Sequence, residues 1–215
     1  VEQFNRVAKP INPLYVACGN AQLDETRSKR YFGLAESLSL KIGTNKNNTE
    51  LRALLLQRAV AYSTLQNFDA AIADLTTLLS IDSVSALAYW HRAVCQMAMS
   101  GFKASNGADV KLQEAGALSD LNRAIALQPQ NAYLYYCRAN LYHNQGNNDK
   151  AIADYSSAIK LDTRFAEAYF NRGLSYVARG DRSQGVKDLS KAGELGLYSA
   201  YNIIKKNSAS PAKKQ

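Results

Sequence analysis

Histidine and cysteine are scarce in this chain, and the shortage removes whole classes of chemistry. His91 and His143, with Cys18, Cys95 and Cys137, share no metal-ligand spacing, so no metal site is expected. The cysteines read as small apolar packing residues. There is no phosphate-cradling glycine-rich loop, no histidine pair at metal spacing on one helix, and no nucleophile of the Gly-x-Ser-x-Gly kind. The two histidines are expected at the surface or in a groove, and neither enzymatic activity nor a cofactor is expected. No run of about 18 apolar residues exists to span a membrane. The chain opens at Val1 without a charged or apolar leader, so its natural start, and any targeting peptide, is expected to have been removed or to lie upstream, and nothing points to a compartment.

Net charge is +8, but it is unevenly placed. Residues 1–50 carry seven Lys/Arg against five Asp/Glu (+2), residues 51–204 carry 15 against 13 (+2), and residues 205–215 hold four lysines and no acid (+4). Half the excess therefore lies in a short tail. A nucleic-acid groove needs cations clustered on one face, so no nucleic-acid partner is expected.

What is present is a clock. Arg58, Arg92, Arg138 and Arg172 are separated by steps of 34, 46 and 34, and Asp74, Asp120, Asp154 and Asp188 by 46, 34 and 34. Arg and Asp lie 16 apart in three units and 28 apart in the second. Their midpoints, Gln66, Asn106, Gly146 and Gly180, are each followed by a turn-prone residue. Residues equidistant from a turn lie level in an antiparallel helix pair, so this is a helical repeat protein whose function belongs to its surfaces. The eight charged residues are read as structural ion pairs that fix register within or between hairpins.

The organisation follows from this register. Residues 1–22 lack a helical period and are read as an irregular segment. Residues 23–48 form a packing helix and loop, with Tyr31, Leu34, Ala35, Leu38 and Ile42 on one face. Four repeats fill 49–199, at about 52–85, 86–131, 132–165 and 166–199. A capping helix at 200–207 and a basic tail at 208–215 close the chain. The second repeat is longer by 12 residues (46 against 34). Because Arg92 and Asp120 remain centred on Asn106, both helices are expected to lengthen by about 1.7 turns each around an Asn106-Gly107 turn. A loop over 101–112 is the alternative. An extended tip would lift Met97, Met99, Phe102, Val110 and Leu112 above the neighbouring repeats. Those residues would then need cover from the N-terminal segment or through self-association around Asn106.

The repeat units resemble the tetratricopeptide repeat. The third unit reads Tyr135, Arg138-Ala139, Tyr142, Ala151, Tyr155 and Thr163; the fourth reads Tyr169, Arg172-Gly173, Tyr176, Gly185, Leu189 and Leu197. The first reads Leu55, Arg58-Ala59, Tyr62, Ala71, Leu75 and Ser83; the second reads Tyr89, Arg92-Ala93, Gln96, Ala117, Leu121 and Pro129. Arginine in place of the usual leucine is similar to an Arg-Gly variant of bacterial-type repeats. The resemblance implies an all-α, right-handed α-α superhelix of four hairpins with an N-terminal helix and a C-terminal cap. Small residues facing each other, such as Gly173 and Gly185, permit close helix approach.

The resemblance also implies a concave groove lined by the first helix of each repeat. Leu87, Trp90, Tyr133, Tyr136, Asn140, His143, Phe170 and Asn171 are the expected groove residues, with their aromatics exposed for a protein or peptide partner. Asn140 and Asn171 match two positions of the family's carboxylate clamp, but Tyr136 and its equivalents occupy its lysine column, so carboxylate capture is not implied. Two other readings stand beside the non-enzymatic scaffold. One is a structural or self-associating module whose groove is filled by residues 1–22; the other is a sugar site with Trp90 and Tyr136 as stacking platforms.

Overall fold

The computed structural model describes residues 25–102, apart from Lys46, and residues 107–209. At 101, 102, 107, 108 and 206–209 the description is of the helical backbone alone. Ten helices account for nearly all of the described residues: α1 (Glu25–Thr44), α2 (Asn48–Thr64), α3 (Phe68–Ile81), α4 (Ala86–Phe102), α5 (Gly107–Leu127), α6 (Ala132–Asn144), α7 (Asn148–Leu161), α8 (Ala166–Arg179), α9 (Arg182–Glu194) and α10 (Ser199–Ala209). The chain divides into two compact units between Pro129 and Gln130. The first holds α1 and the hairpins α2–α3 and α4–α5. The second holds α6–α7, α8–α9 and the capping helix α10.

Each hairpin begins and turns for local reasons. Asn47, Asn67, Asn131, Asn147 and Asp181 precede helices and accept a hydrogen bond from a backbone N–H of the first turn, satisfying a donor the helix itself cannot. Three of the four turns place their midpoint residue in the left-handed region: Gln66 at φ 61°, Gly146 at 74° and Gly180 at 100°. In each, the following residue donates back to the carbonyl five before it, Asn67 to Tyr62, Asn147 to Tyr142 and Asp181 to Tyr176. This closes the preceding helix. Glycine takes such a backbone without cost, whereas Gln66 carries a side chain there.

The long hairpin lengthens on both sides. α4 runs 10 residues past Arg92, to Phe102, where α2 runs 6 past Arg58, to Thr64; α5 begins 13 residues before Asp120, at Gly107, where α3 begins 6 before Asp74, at Phe68. α5 resumes at Gly107; Asn106, expected in the turn, lies outside the described residues, as do residues 1–22. Of the tip residues expected to need cover, two have it and one does not. Met97 and Met99 are buried, because α4 is covered on almost every side, while Leu112 is 69% exposed.

Every arginine of the clock meets the aspartate of its own hairpin through two parallel bonds. Arg58 donates from Nε and Nη2 to Asp74 at 2.8 and 2.6 Å, and Arg92 does so to Asp120 at 2.8 and 2.8 Å. Arg138 meets Asp154 at 2.7 and 2.8 Å, and Arg172 meets Asp188 at 2.6 and 2.9 Å. A third donor reaches back to the preceding helix: Arg58 to Ser39, Arg92 to Thr76 and Arg172 to Ser156. One guanidinium thus ties three helices, and its planar fork fixes their relative height.

Small residues let the helices of a hairpin close on each other. Ala59, Ala71, Ala93, Ala117, Ala139 and Ala151 have no exposed area. In the last hairpin a Cβ on Gly173 would sit 2.9 Å from the Gly185 carbonyl oxygen, and one on Gly185 would sit 2.5 Å from Val177 Cγ2. The first core packs Leu55, Leu75, Leu78 and Cys95; the last packs Leu189, Ala192 and Ala200 against α10 residues Ile203 and Ile204. α1 is covered along a narrower stripe than its sequence period suggests. Ala35 and Leu38 are buried, but Leu34 is 42% exposed, because α2 alone is its principal neighbour.

Candidate functional site

In the second unit the first helices of successive hairpins, α6 and α8, meet along a polar and aromatic seam. Asn171 donates from Nδ2 to Asn140 Oδ1 at 3.0 Å and to the Tyr136 hydroxyl at 3.1 Å. Tyr155, from α7, donates to the same Asn140 oxygen at 2.6 Å. One turn along, Ser175 Oγ lies 2.9 Å from His143 Nδ1 while donating to the Asn171 carbonyl. Above the asparagines, Tyr133 stacks on Phe165 with ring centroids 6.2 Å apart and planes 9° apart. Tyr136 packs beneath the same Phe165 at 4.8 Å. Burial pushes the Tyr136 phenol up to about 12 and the Tyr133 phenol higher still, so both stay neutral at physiological pH.

The seam gathers five of the expected groove residues: Tyr133, Tyr136, Asn140, His143 and Asn171. Tyr133, Asn140, His143 and Asn171 are half-buried, with an open edge. Tyr136 is the exception; at 3% exposure it does not keep the free aromatic surface expected of it. The cause is enclosure by Tyr133, Tyr155 and Phe165, which leaves its ring no solvent face. Phe170, half-buried, turns instead towards the core of Leu189, Ala192 and Ala200. Tyr155, Phe165 and Ser175 complete the seam; Tyr155 is the aromatic of its own repeat pattern, whereas Phe165 and Ser175 are not singled out by repeat spacing.

In the first unit, Ser63 Oγ on α2 lies 3.0 Å from His91 Nε2 on α4. Trp90 and His91 have no exposed area, correcting the expectation of an exposed tryptophan and a surface or groove histidine. α4 is not a one-faced helix: Ala86, Ala88, Ala93, Val94, Cys95, Met97, Ala98 and Met99 are buried with them. Desolvation lowers the His91 pKa to about 4, and its Nδ1 has no hydrogen-bond partner among the described residues. Leu87 is half-buried. It lines a cleft of about 480 Å3 between α2, the end of α3 and the start of α4, with Leu56, Leu78, Arg52 and Asp82 among the other walls.

These repeated hairpins match known families. Models described as TPR repeat or tetratricopeptide repeat match residues 53–84, 121–153 and 139–180. The chain is a tetratricopeptide repeat protein. Among solved structures it is similar to MamA, at 26% identity and a TM-score of 0.67, covering 84% of this chain and 99% of that one. It is also similar to TTC0263, a thermophilic TPR protein of Thermus thermophilus, at 19% identity and a TM-score of 0.65, with 97% of each chain covered. MamA 41-end from Desulfovibrio magneticus RS-1 aligns at 17% identity and a TM-score of 0.58, over 81% of this chain and 97% of that one. The last two likenesses concern the fold alone. No curated protein matches this tetratricopeptide chain in sequence. Among the described residues no helix is long and apolar enough to cross a membrane, and no three His, Cys, Asp or Glu side chains are grouped to hold a metal ion.

Proposed function

We propose that this tetratricopeptide repeat protein is a non-enzymatic scaffold that holds an extended segment of a protein partner along the faces of its first helices. In the second unit Tyr133, Asn140, His143, Phe170 and Asn171 are the contact residues, with Tyr136 as the packed floor. In the first unit Leu87 is a contact residue, and Trp90 is buried on the same helix. The observation that carries the reading is the α6–α8 seam. Its asparagines are held in fixed rotamers by Tyr136, Tyr155 and each other, yet remain half-exposed. Pre-ordered side chains lose little entropy on binding, which favours recognition of a flexible peptide. The experiment is selection of a random peptide-display library on the chain, then calorimetric titration of a selected peptide. Asn140→Ala with Asn171→Ala is expected to weaken binding by about 2 kcal/mol with helicity retained. Undiminished binding by the double variant would remove the seam from the site.

A second reading, in which residues 1–22 of the same chain take the partner's place, draws on the burial of Trp90, Val94 and Met97 along one side of α4. It predicts that removing residues 1–22 strengthens capture of the selected peptide and uncovers Trp90. Unchanged affinity and unchanged tryptophan emission would exclude it.

A further inference from the structure

The cleft of the first unit has a hydrogen-bonding imbalance that points to a particular ligand chemistry. Its apolar floor is Leu56, Leu78 and Leu87, and its polar rim includes Thr49, Arg52, Asp82 and Ser85. The Asp82 carboxylate is engaged at both oxygens: Oδ2 accepts from Arg52 Nη1 at 2.8 Å, and Oδ1 accepts from the Val84 backbone N–H at 3.2 Å. Arg52, in contrast, uses only Nη1; Nε and Nη2 have no partner among the described residues. Ser85 Oγ accepts from the Ala88 N–H at 3.3 Å and keeps its own proton to donate, while the Thr49 hydroxyl makes no bond among the described residues. Arg52 Nε and Nη2 and the Ser85 and Thr49 hydroxyls are therefore available as donors around the floor, and both oxygens of the nearest carboxylate are already engaged.

A surplus of donors beside aliphatic carbons selects an acceptor-rich group attached to an apolar one. The free Nε–Nη2 edge of a guanidinium is the edge that takes a carboxylate through two parallel bonds. We propose that this cleft binds a partner peptide through an internal acidic side chain next to an aliphatic one. The carboxylate seats on Arg52, Thr49 and Ser85, and the aliphatic group on Leu56, Leu78 and Leu87. This rests on the scaffold reading above and narrows it to a peptide chemistry. Asp82 opposes the incoming charge and so limits affinity for acids while it orients Arg52. Its role is positioning.

The test uses the full chain and two blocked peptides, acetyl-Leu-Asp-Leu-Leu-amide and acetyl-Leu-Asn-Leu-Leu-amide, titrated by amide chemical-shift mapping. Blocking both ends removes the terminal carboxylate as a source of binding. The expected result is saturable shifts at Thr49, Arg52, Ser85 and Leu87, with the Asp peptide preferred by about tenfold, as charge-assisted bonds imply. Arg52→Gln is expected to abolish the preference while leaving the weaker Asn peptide unaffected. Asp82→Asn is expected to raise affinity for the Asp peptide several-fold. Equal binding of both peptides at the cleft would overturn acid selection and leave the scaffold reading standing. Shifts confined to the α6–α8 seam would overturn this cleft alone, and no shift with either peptide at any residue would overturn the cleft and count against the scaffold reading.

Discussion

Asp74→Ala tests the registry device directly. In the folded chain the Asp74 and Arg58 side chains are 7% and 18% exposed, and they share two charge-assisted bonds of 2.6 and 2.8 Å. Removing the carboxylate leaves a largely desolvated guanidinium with only its Ser39 bond. Breaking a buried pair by deleting one partner costs about 3–5 kcal/mol; the partial exposure of Arg58 and its remaining bond put this case at about 3. Replacing both partners by apolar residues, Arg58→Met with Asp74→Leu, removes the orphaned charge and should recover most of the loss. The Lys29–Glu25 pair is the control, because both its side chains are largely exposed (78% and 83%) and Glu25→Ala should leave stability unchanged. The assay is urea unfolding followed by fluorescence of Trp90, the sole tryptophan, which reports the first unit, alongside circular dichroism for the whole chain. A loss below about 1 kcal/mol for Asp74→Ala, with no recovery in the double variant, would refute the argument that the pair sets hairpin register.

His91 predicts an acid limb in the same unfolding signal. Its folded pKa of about 4 lies below the usual 6.5, so its contribution is whole above about pH 6.5 and is lost as pH falls towards 4; the full effect is about 3 kcal/mol. His91→Gln should flatten that limb, and an unchanged slope would contradict the buried neutral imidazole. Gln66→Gly should stabilise by about 0.5–1 kcal/mol, since Gln66 sits at φ 61°; destabilisation in urea melts would show that its side chain holds the turn. Trp90→Ala and Tyr136→Ala should each lower stability by about 3–5 kcal/mol as core truncations, and a melting point unmoved in either would return that ring to the surface.

How much was legible in the residues depends on which physical rule each feature obeys. The hairpin turns follow from symmetry: Arg and Asp must be level to pair, so their midpoint must be the turn, and Gln66, Gly146 and Gly180 have the required backbone. The same rule anticipates lengthening of both α4 and α5, because Arg92 and Asp120 still meet at 2.8 Å. Burial is another matter. A period marks one apolar stripe, but α4 is covered on nearly all sides, which moves Trp90 and His91 from a face into a core. Tyr136 is enclosed partly by Phe165, which precedes α8 without a side-chain cap bond and so carries no signature of helix start. The asparagine pair is legible from the family pattern, whereas its tyrosine partners depend on how α7 leans against α6 and α8. Arg52 is missed for a similar reason: its pairing with Asp82 spans 30 residues and repeats nowhere else in the clock.

The central claim is that a peptide lies along the first helix of each hairpin. Amide chemical-shift mapping of the chain with a display-selected peptide measures this most directly. The account predicts that the largest changes fall on α6 and α8, at Tyr133, Asn140, His143 and Asn171, and on α2 and α4 at Leu56 and Leu87. Changes concentrated on the second helices α3, α7 and α9, with the first helices silent, would contradict it.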